Sequence, residues 1–217
     1  MYFLPISLAL FLLFILLIPL LIVLAPAIAF TKLGLDPVCG YAFFILCLLG
    51  SGINIPIHRK KVDYAVPVDE TNVMVQSFFG IKIPPYTEQV IAVNFGGAVL
   101  PVILSIYLLG NVPIHLVLIA TAVTSTASYL LSKPVRGVGV IMPAFVPPLI
   151  AALTALAISR EYAPPIAYIS GVLGTLIGAD ILRLHQIGRI ETRFLSIGGA
   201  GVFDGIYLVG LVSVLLA

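Results

Sequence analysis

The chain has 217 residues, of which 61% are apolar and only 9% are charged, and its mean hydropathy is +1.20. A soluble domain carries about 25% charged residues, so this composition excludes an ordinary soluble protein and predicts a membrane protein whose first partner is the lipid bilayer. The net charge of +2 is too small to indicate nucleic acid. The two cysteines have no metal-ligand spacing, so we expect neither a metal nor a cofactor, and the sequence specifies no oligomeric state.

Seven apolar segments are long enough for a membrane-spanning helix, which needs about 20 apolar residues. They predict an all-α integral membrane protein with a single polytopic domain over residues 1–217. Several of the helices are expected to be broken at glycine or proline, as in MPAFVPPL (142–149). The predicted spans are 3–30, 38–57, 90–110, 113–132, 138–159, 163–182 and 195–217.

The one sizeable polar segment is the loop 58–89. Its alternating runs VDYAVPV (62–68) and VMVQSFFGIKI (73–83) predict two short strands. With seven spans, nine of the eleven Lys and Arg residues fall on the side of this loop. Because cytoplasmic loops are enriched in Lys and Arg, we expect a multi-pass cell-membrane protein with a cytoplasmic amino terminus, a cytoplasmic 58–89 loop and an external carboxyl terminus.

Two aspartates stand in otherwise apolar sequence near the carboxyl end. Asp180 lies in GTLIGADILRL (174–184), and Asp204 lies in SIGGAGVFDGIYLVG (196–210). Ionisable residues inside a membrane are rare, costly and usually functional. Arg183 stands three residues after Asp180, so a simple ion pair within one helix is an alternative for that carboxylate.

The two aspartates lie on consecutive predicted spans and can meet across a helix interface. Two carboxyls in hydrogen-bonding distance share a proton. One can then take a proton from water while the other donates to a carbonyl oxygen. The sequence thus favours a catalytic pair of Asp180 and Asp204, with nearby glycines that permit substrate approach or close helix packing. Those glycines are Gly198, Gly199, Gly201 and Gly205.

A second interpretation is a proton- or sodium-coupled transporter or channel. Asn54 and Asn94 lie beside glycine and proline in apolar sequence, and broken helices with such residues bind small ions in transporters. In that interpretation Asn54, Asn94 and Asp204 form the polar site and the substrate is a small ion rather than a transmembrane peptide. A third interpretation is a non-catalytic membrane scaffold whose aspartates serve helix packing.

Two resemblances accompany these motifs. The segments NIP (54–56), AVNFGGAVLP (92–101), AYISGVLGTLIGAD (167–180) and SIGGAGVFDGIYLVG (196–210) together resemble an uncharacterised family of polytopic membrane proteins found in archaea and bacteria. The last 60 or so residues also resemble presenilins and signal peptide peptidases. These carry one catalytic Asp near the cytoplasmic end of a span and a second in a GxGD pattern on the next span.

The second resemblance implies an intramembrane aspartyl protease in which Asp180 and Asp204 take the two catalytic places. Here the sequence leading to the second aspartate is GAGVFD (199–204), two residues longer than GxGD.

Overall fold

The structure is a computed structural model that describes residues 15, 24–61, 88–135, 139–184, 194–199 and 205–217. Most of the predicted first span (3–30) and most of the 58–89 loop, including its predicted strands 62–68 and 73–83, lie outside these residues.

Helices form most of the described chain. After the helical residues 24–32, they are α1 (Pro37–Gly50), α2 (Leu100–Leu109), α3 (Ile114–Leu131), α4 (Val146–Ile158), α5 (Ala163–Thr175) and α6 (Gly205–Leu216). Two of these helices are extended by a π-helical segment. π1 (Phe95–Val99) leads into α2, and π2 (Leu176–Ile181) continues α5. π-Helical turns are rare in proteins, and those that do occur often lie at functional sites.

Proline and one aspartate set where several helices begin. Asp36 caps α1 by accepting a 2.7 Å hydrogen bond from the Val38 backbone N–H, and Pro37 occupies the first turn. Proline also stands in the first turn of α2, α4 and α5. A first-turn proline lacks only an N–H that has no partner within the helix. The prolines of MPAFVPPL therefore start α4 rather than break a longer helix.

Among the described residues, five strands form two small sheets. β1 (Asn54–Lys61), β2 (Glu88–Asn94) and β5 (Phe194–Ile197) make a three-stranded sheet in the order β1-β2-β5, while β3 (Lys133–Val135) pairs with β4 (Gly139–Ile141). β1 is antiparallel to β2, with Asn54 opposite Asn94 and a bulge between Pro56 and His58. β5 is parallel to β2. The central strand β2 therefore brings together three distant parts of the chain.

The predicted all-α bundle of seven spans is wrong. The described residues contain two sheets, and four predicted spans (38–57, 90–110, 138–159 and 195–217) each combine a strand with a helix of 10–17 residues. The physical reason is that hydropathy does not distinguish a buried apolar strand from a buried helix. A segment such as QVIAV (89–93) is apolar enough for either and forms a strand because β1 and β5 pair with it.

Two helices among the described residues are long and apolar enough to cross a membrane, which is compatible with membrane association. They are α3 and the continuous helix Ala163–Ile181 formed by α5 and π2, and they occupy the predicted spans 113–132 and 163–182. The two differ in burial: 67% of the Ala163–Ile181 window is buried inside the protein, against 28% for α3. The helix Ala163–Ile181 is therefore central in the protein, and α3 is peripheral.

The central helix is surrounded by α2, α3, α4 and α6. Glycines on α5 and π2 allow this close packing. A Cβ on Gly174 would lie 2.7 Å from Thr124 Cβ of α3, and a Cβ on Gly171 would lie 2.7 Å from Ser213 Oγ of α6. Small residues at helix interfaces let backbones approach in this way.

Candidate functional site

Asp180 lies in π2, near the end of the central helix, and is partly buried. Its Oδ2 accepts a 2.8 Å hydrogen bond from the backbone N–H of Gly198, just after β5. Within the described part of the chain this is the polar contact of the carboxyl group, and no ion pair is formed there. A carboxyl group that is mostly withdrawn from water without a cation beside it is costly to ionise.

Arg183 faces helix α3 instead. Its Nη2 donates to the carbonyl oxygens of Tyr129 at 2.6 Å and Ser132 at 3.0 Å, and its guanidinium lies 4.1 Å from the centre of the Tyr129 ring. These carbonyls lie at the carboxyl end of α3, where the last carbonyl oxygens of a helix have no donor within the helix. Arg183 supplies that donor. The contacts among the described residues therefore favour a structural role for Arg183 over the ion pair with Asp180 that the spacing had suggested.

The partner of Asp180 belongs to the glycine-rich segment. Gly198 has φ +80° and Gly199 has φ +133°, conformations that L side chains rarely adopt. A Cβ on Gly198 would overlap the Cβ of Ala98 in π1. Glycine is thus required both for the turn after β5 and for its approach to π1, and the resulting position aims the Gly198 N–H at Asp180.

The structure places the predicted catalytic residues only in part. Asp180, Gly198 and Gly199 are described, and Gly205 is the first residue of α6. Asp204 and Gly201 lie outside the described residues. The structure shows a direct hydrogen bond between Asp180 and Gly198, and Gly198 begins the glycine-rich segment that leads to Asp204 in sequence.

Asn54 and Asn94, the other predicted site residues, do meet. Asn94 is 1% exposed, and its Nδ2 donates to Ser51 O at 2.6 Å and to Asn54 Oδ1 at 3.2 Å. Its Oδ1 accepts from the Gly97 N–H at 2.7 Å, which caps π1. Asn54 Oδ1 also accepts from Ser196 Oγ at 2.6 Å. This cluster ties β1, β2, β5, α1 and π1 together.

Sequence reasoning missed several members of this region. Ser51 and Ser196 are single serines whose side chain or carbonyl acts only after the sheet has formed, so no local pattern identifies them. Gly198 was predicted from its glycine-rich context, but its contact with Asp180 was not. Among the described residues no group of three or more His, Cys, Asp or Glu side chains is arranged to hold a metal ion.

Comparison with known proteins identifies the family of the chain. No curated protein and no solved structure matches the chain, so neither the resemblance to presenilins and signal peptide peptidases nor an archaeal or bacterial origin receives support. A family model matches residues 48–216, well over half of the chain. The chain therefore belongs to the family described as protein of unknown function (DUF1614).

Proposed function

We propose that the chain is an intramembrane aspartyl hydrolase whose reacting carboxyl groups belong to Asp180 and Asp204. The observation that carries the proposal is the 2.8 Å hydrogen bond from Gly198 to Asp180, because it joins one aspartate to the glycine-rich segment that contains the other. The other carboxyl oxygen of Asp180, Oδ1, accepts no hydrogen bond from the described residues. Both features suit a carboxyl group that shares a proton with a second one.

The chemistry follows from such a pair. The ionised carboxyl removes a proton from a water molecule, and the water oxygen attacks the carbonyl carbon of a peptide bond. The protonated carboxyl donates its proton to the carbonyl oxygen, which gives a tetrahedral diol. One hydroxyl of the diol then returns its proton to that carboxylate, the C–N bond breaks, and the other carboxyl group gives the proton it took from water to the leaving amine. The substrate is a transmembrane peptide. In this proposal the substrate backbone approaches the carboxyls along the glycine-rich segment of Gly199, Gly201 and Gly205, while Gly198 packs against Ala98.

Membrane location is part of the same proposal. Many large apolar side chains on the helices are exposed, and so many of them would be unfavourable on a surface in contact with water. They include Leu49 (70% exposed), Ile106 (61%), Leu118 (61%), Leu130 (70%) and Leu153 (57%). We infer that lipid covers these side chains and that the protein is multi-pass, with α3 and Ala163–Ile181 as full spans.

Orientation follows from the charges at the helix ends. α3 and Ala163–Ile181 both end on the side that carries Lys133 and Arg183, since Arg183 contacts the end of α3. Lys32 lies at the other side, where its Nζ donates to Leu215 O at the end of α6. By the positive-inside rule we infer that the side of Lys133 and Arg183 is cytoplasmic and that the carboxyl terminus is outside. The cytoplasmic amino terminus stays a prediction from the sequence, because residues 1–14 and 16–23 lie outside the described part of the chain.

A proton- or sodium-coupled transporter is the second candidate. Its support is that both polar positions, Asn94 and Asp180, lie at π-helical interruptions. However, the amide oxygens of Asn54 and Asn94 already accept hydrogen bonds from protein donors, which leaves less capacity for ion ligation. We therefore favour hydrolysis. The scaffold alternative assigns the aspartates to packing alone and predicts no chemistry.

The test is cleavage of a transmembrane peptide by the purified full-length chain in lipid nanodiscs, followed by mass spectrometry of the products. Asp180→Asn and Asp204→Asn are each expected to abolish cleavage while keeping the thermal unfolding midpoint. Asp36→Asn is the matched control, because Asn also caps a helix well and Asp36 is exposed. Cleavage that survives either catalytic substitution refutes the proposal.

If no peptide is cleaved, the same proteins distinguish the remaining candidates. A transporter is expected to unfold at a higher temperature with sodium or at altered pH, and to lose that response in Asp204→Asn. A scaffold shows no ion response and is destabilised by the substitution.

A further inference from the structure

Two series of contacts lead from Asn94 to Gly198, the residue whose backbone N–H donates to Asp180. Asn94 is the last residue of β2, and the two ends of its amide group serve different elements. Its Nδ2 donates to Asn54 Oδ1 at 3.2 Å, and its Oδ1 accepts from the Gly97 N–H at 2.7 Å. The first bond begins a series across the sheet, and the second begins a series through π1.

The first series crosses the sheet on one face. Asn54 on β1 lies opposite Asn94 on β2, and Ser196 on β5 lies opposite Ala92 of β2. Side chains two residues apart on a strand point to the same face, so all four side chains share a face. Because Ala92 has only a methyl group, Ser196 Oγ reaches across β2 and donates to Asn54 Oδ1 at 2.6 Å. This bond holds β5 two residues before Gly198.

The second series passes through π1. Asn94 caps this segment at the Gly97 N–H, and the next residue, Ala98, is buried. Ala98 lies so close to Gly198 that a Cβ on Gly198 would overlap the Ala98 Cβ. The two series therefore meet at Gly198, which is held by β5 on one side and by π1 on the other. In that position its N–H lies 2.8 Å from Asp180 Oδ2.

We propose that Asn54, Asn94 and Ser196 are positioning residues that hold the Gly198 N–H on the Asp180 carboxyl group. With Oδ2 held by this bond, Oδ1 is the oxygen assigned to the reaction. The three side chains are uncharged, so they act by orientation alone. This inference rests on the proposed hydrolase for its chemical consequence, because misplacing a reacting group by about 1 Å costs roughly 100-fold in rate.

The first measurement is the reactivity of the Asp180 carboxyl group, which does not depend on cleavage. The purified full-length chain in lipid nanodiscs is treated with dicyclohexylcarbodiimide, an apolar reagent that modifies carboxyl groups. Mass spectrometry follows the modification of Asp180 with time. Ser196→Ala removes the bond to Asn54 and loosens Gly198, and the loss of one hydrogen bond on Asp180 is expected to raise its modification rate about fivefold. Ser196→Thr keeps the hydroxyl and is expected to react as the unmodified chain.

Two more variants complete this measurement. Asn54→Ala removes the oxygen that accepts from both Asn94 and Ser196, and it is expected to raise the rate at Asp180 as Ser196→Ala does. Ser105→Ala is the matched control. Ser105 is fully buried, and its Oγ donates at 2.9 Å to a carbonyl of its own helix, α2, rather than to the sheet. We expect it to leave the rate at Asp180 unchanged.

The second measurement is cleavage of a transmembrane peptide by the same proteins. Ser196→Ala is expected to lower kcat roughly 10–100-fold while KM stays unchanged, because the substrate still binds and only the orientation of the reacting group is lost. Ser196→Thr is expected to restore kcat. The thermal unfolding midpoint of each variant is measured alongside and is expected to stay close to that of the unmodified chain.

Equal modification rates at Asp180 in Ser196→Ala, Asn54→Ala and the unmodified chain overturn the positioning role. An equal rise in Ser105→Ala also overturns it, because the effect would then be a general loosening of the protein. A rise that Ser196→Thr does not reverse excludes the hydroxyl as the group that acts and has the same consequence. Absence of cleavage by every protein, the unmodified chain included, refutes the hydrolase alone, and the modification rates still decide the positioning role.

Discussion

The packing of the central helix against α3 makes a quantitative prediction for Gly174→Ala. An added Cβ would lie 2.7 Å from Thr124 Cβ and 2.9 Å from Thr124 Cγ2, with Ser125 N at 3.1 Å. Distances below 3 Å are not found for real Cβ atoms, and the obstructing Cβ is fixed to the α3 backbone, so the helices must separate. Overpacking of this kind costs about 1–3 kcal/mol.

Part of that cost is recovered, because alanine is a better helix former than glycine by up to about 1 kcal/mol. The net loss of stability is therefore expected to be about 1–2 kcal/mol, which corresponds to roughly 2–8 °C in the unfolding midpoint for a chain of this size. Gly110→Ala is the matched control. Its added Cβ would be 3.5 Å from Tyr107 O, an ordinary contact, and we expect a change of at most about 0.5 kcal/mol.

The assay uses the cysteines, since the chain has no tryptophan. Cys47 is 4% exposed and becomes reactive towards a thiol-sensitive dye on unfolding, while the exposed Cys39 is first replaced by serine. Equal midpoints for Gly174→Ala and Gly110→Ala would refute the close approach of α5 to α3.

Two further substitutions test the polar contacts around the site in the same assay. Arg183→Lys keeps the charge but loses the planar fork that reaches two carbonyls of α3, and we expect a loss of about 1–2 kcal/mol; no change would show that these bonds contribute little. Asn94→Asp keeps an acceptor for the Gly97 N–H but removes the donor to Ser51 O and buries a charge, so we expect a loss of about 2–4 kcal/mol. For this variant the contradictory result is a midpoint equal to that of the unmodified chain.

The helices α3 and Ala163–Ile181 could be predicted because each is an uninterrupted apolar stretch of sufficient length. The strands could not be predicted in the same way. β5 has the sequence FLSI, which continues an apolar segment, and only its pairing with β2 makes it a strand. Pairing between distant strands has no signal in the sequence of either strand, so hydropathy alone assigned the residues of β5 to a helix.

The candidate site shows the same division. Asp180 was recognisable because a carboxyl group in apolar sequence is costly. Its hydrogen-bond donor, the Gly198 N–H, could not be recognised from the sequence, because a backbone group has no sequence signature and the two residues are 18 positions apart. For Asn94, the local capping of π1 could be anticipated from the glycines that follow it, whereas the bonds to Ser51 and Asn54 depend on the sheet.

If Asp180 and Asp204 act as one pair, their carboxyl groups lie close together, and an experimental structure of the chain in lipid measures that distance. We expect a gap of about 3–6 Å, which allows a shared proton or a common water, with the Gly198 N–H still hydrogen-bonded to Asp180. A separation beyond roughly 10 Å would leave no room for a common water and would rule out the pair.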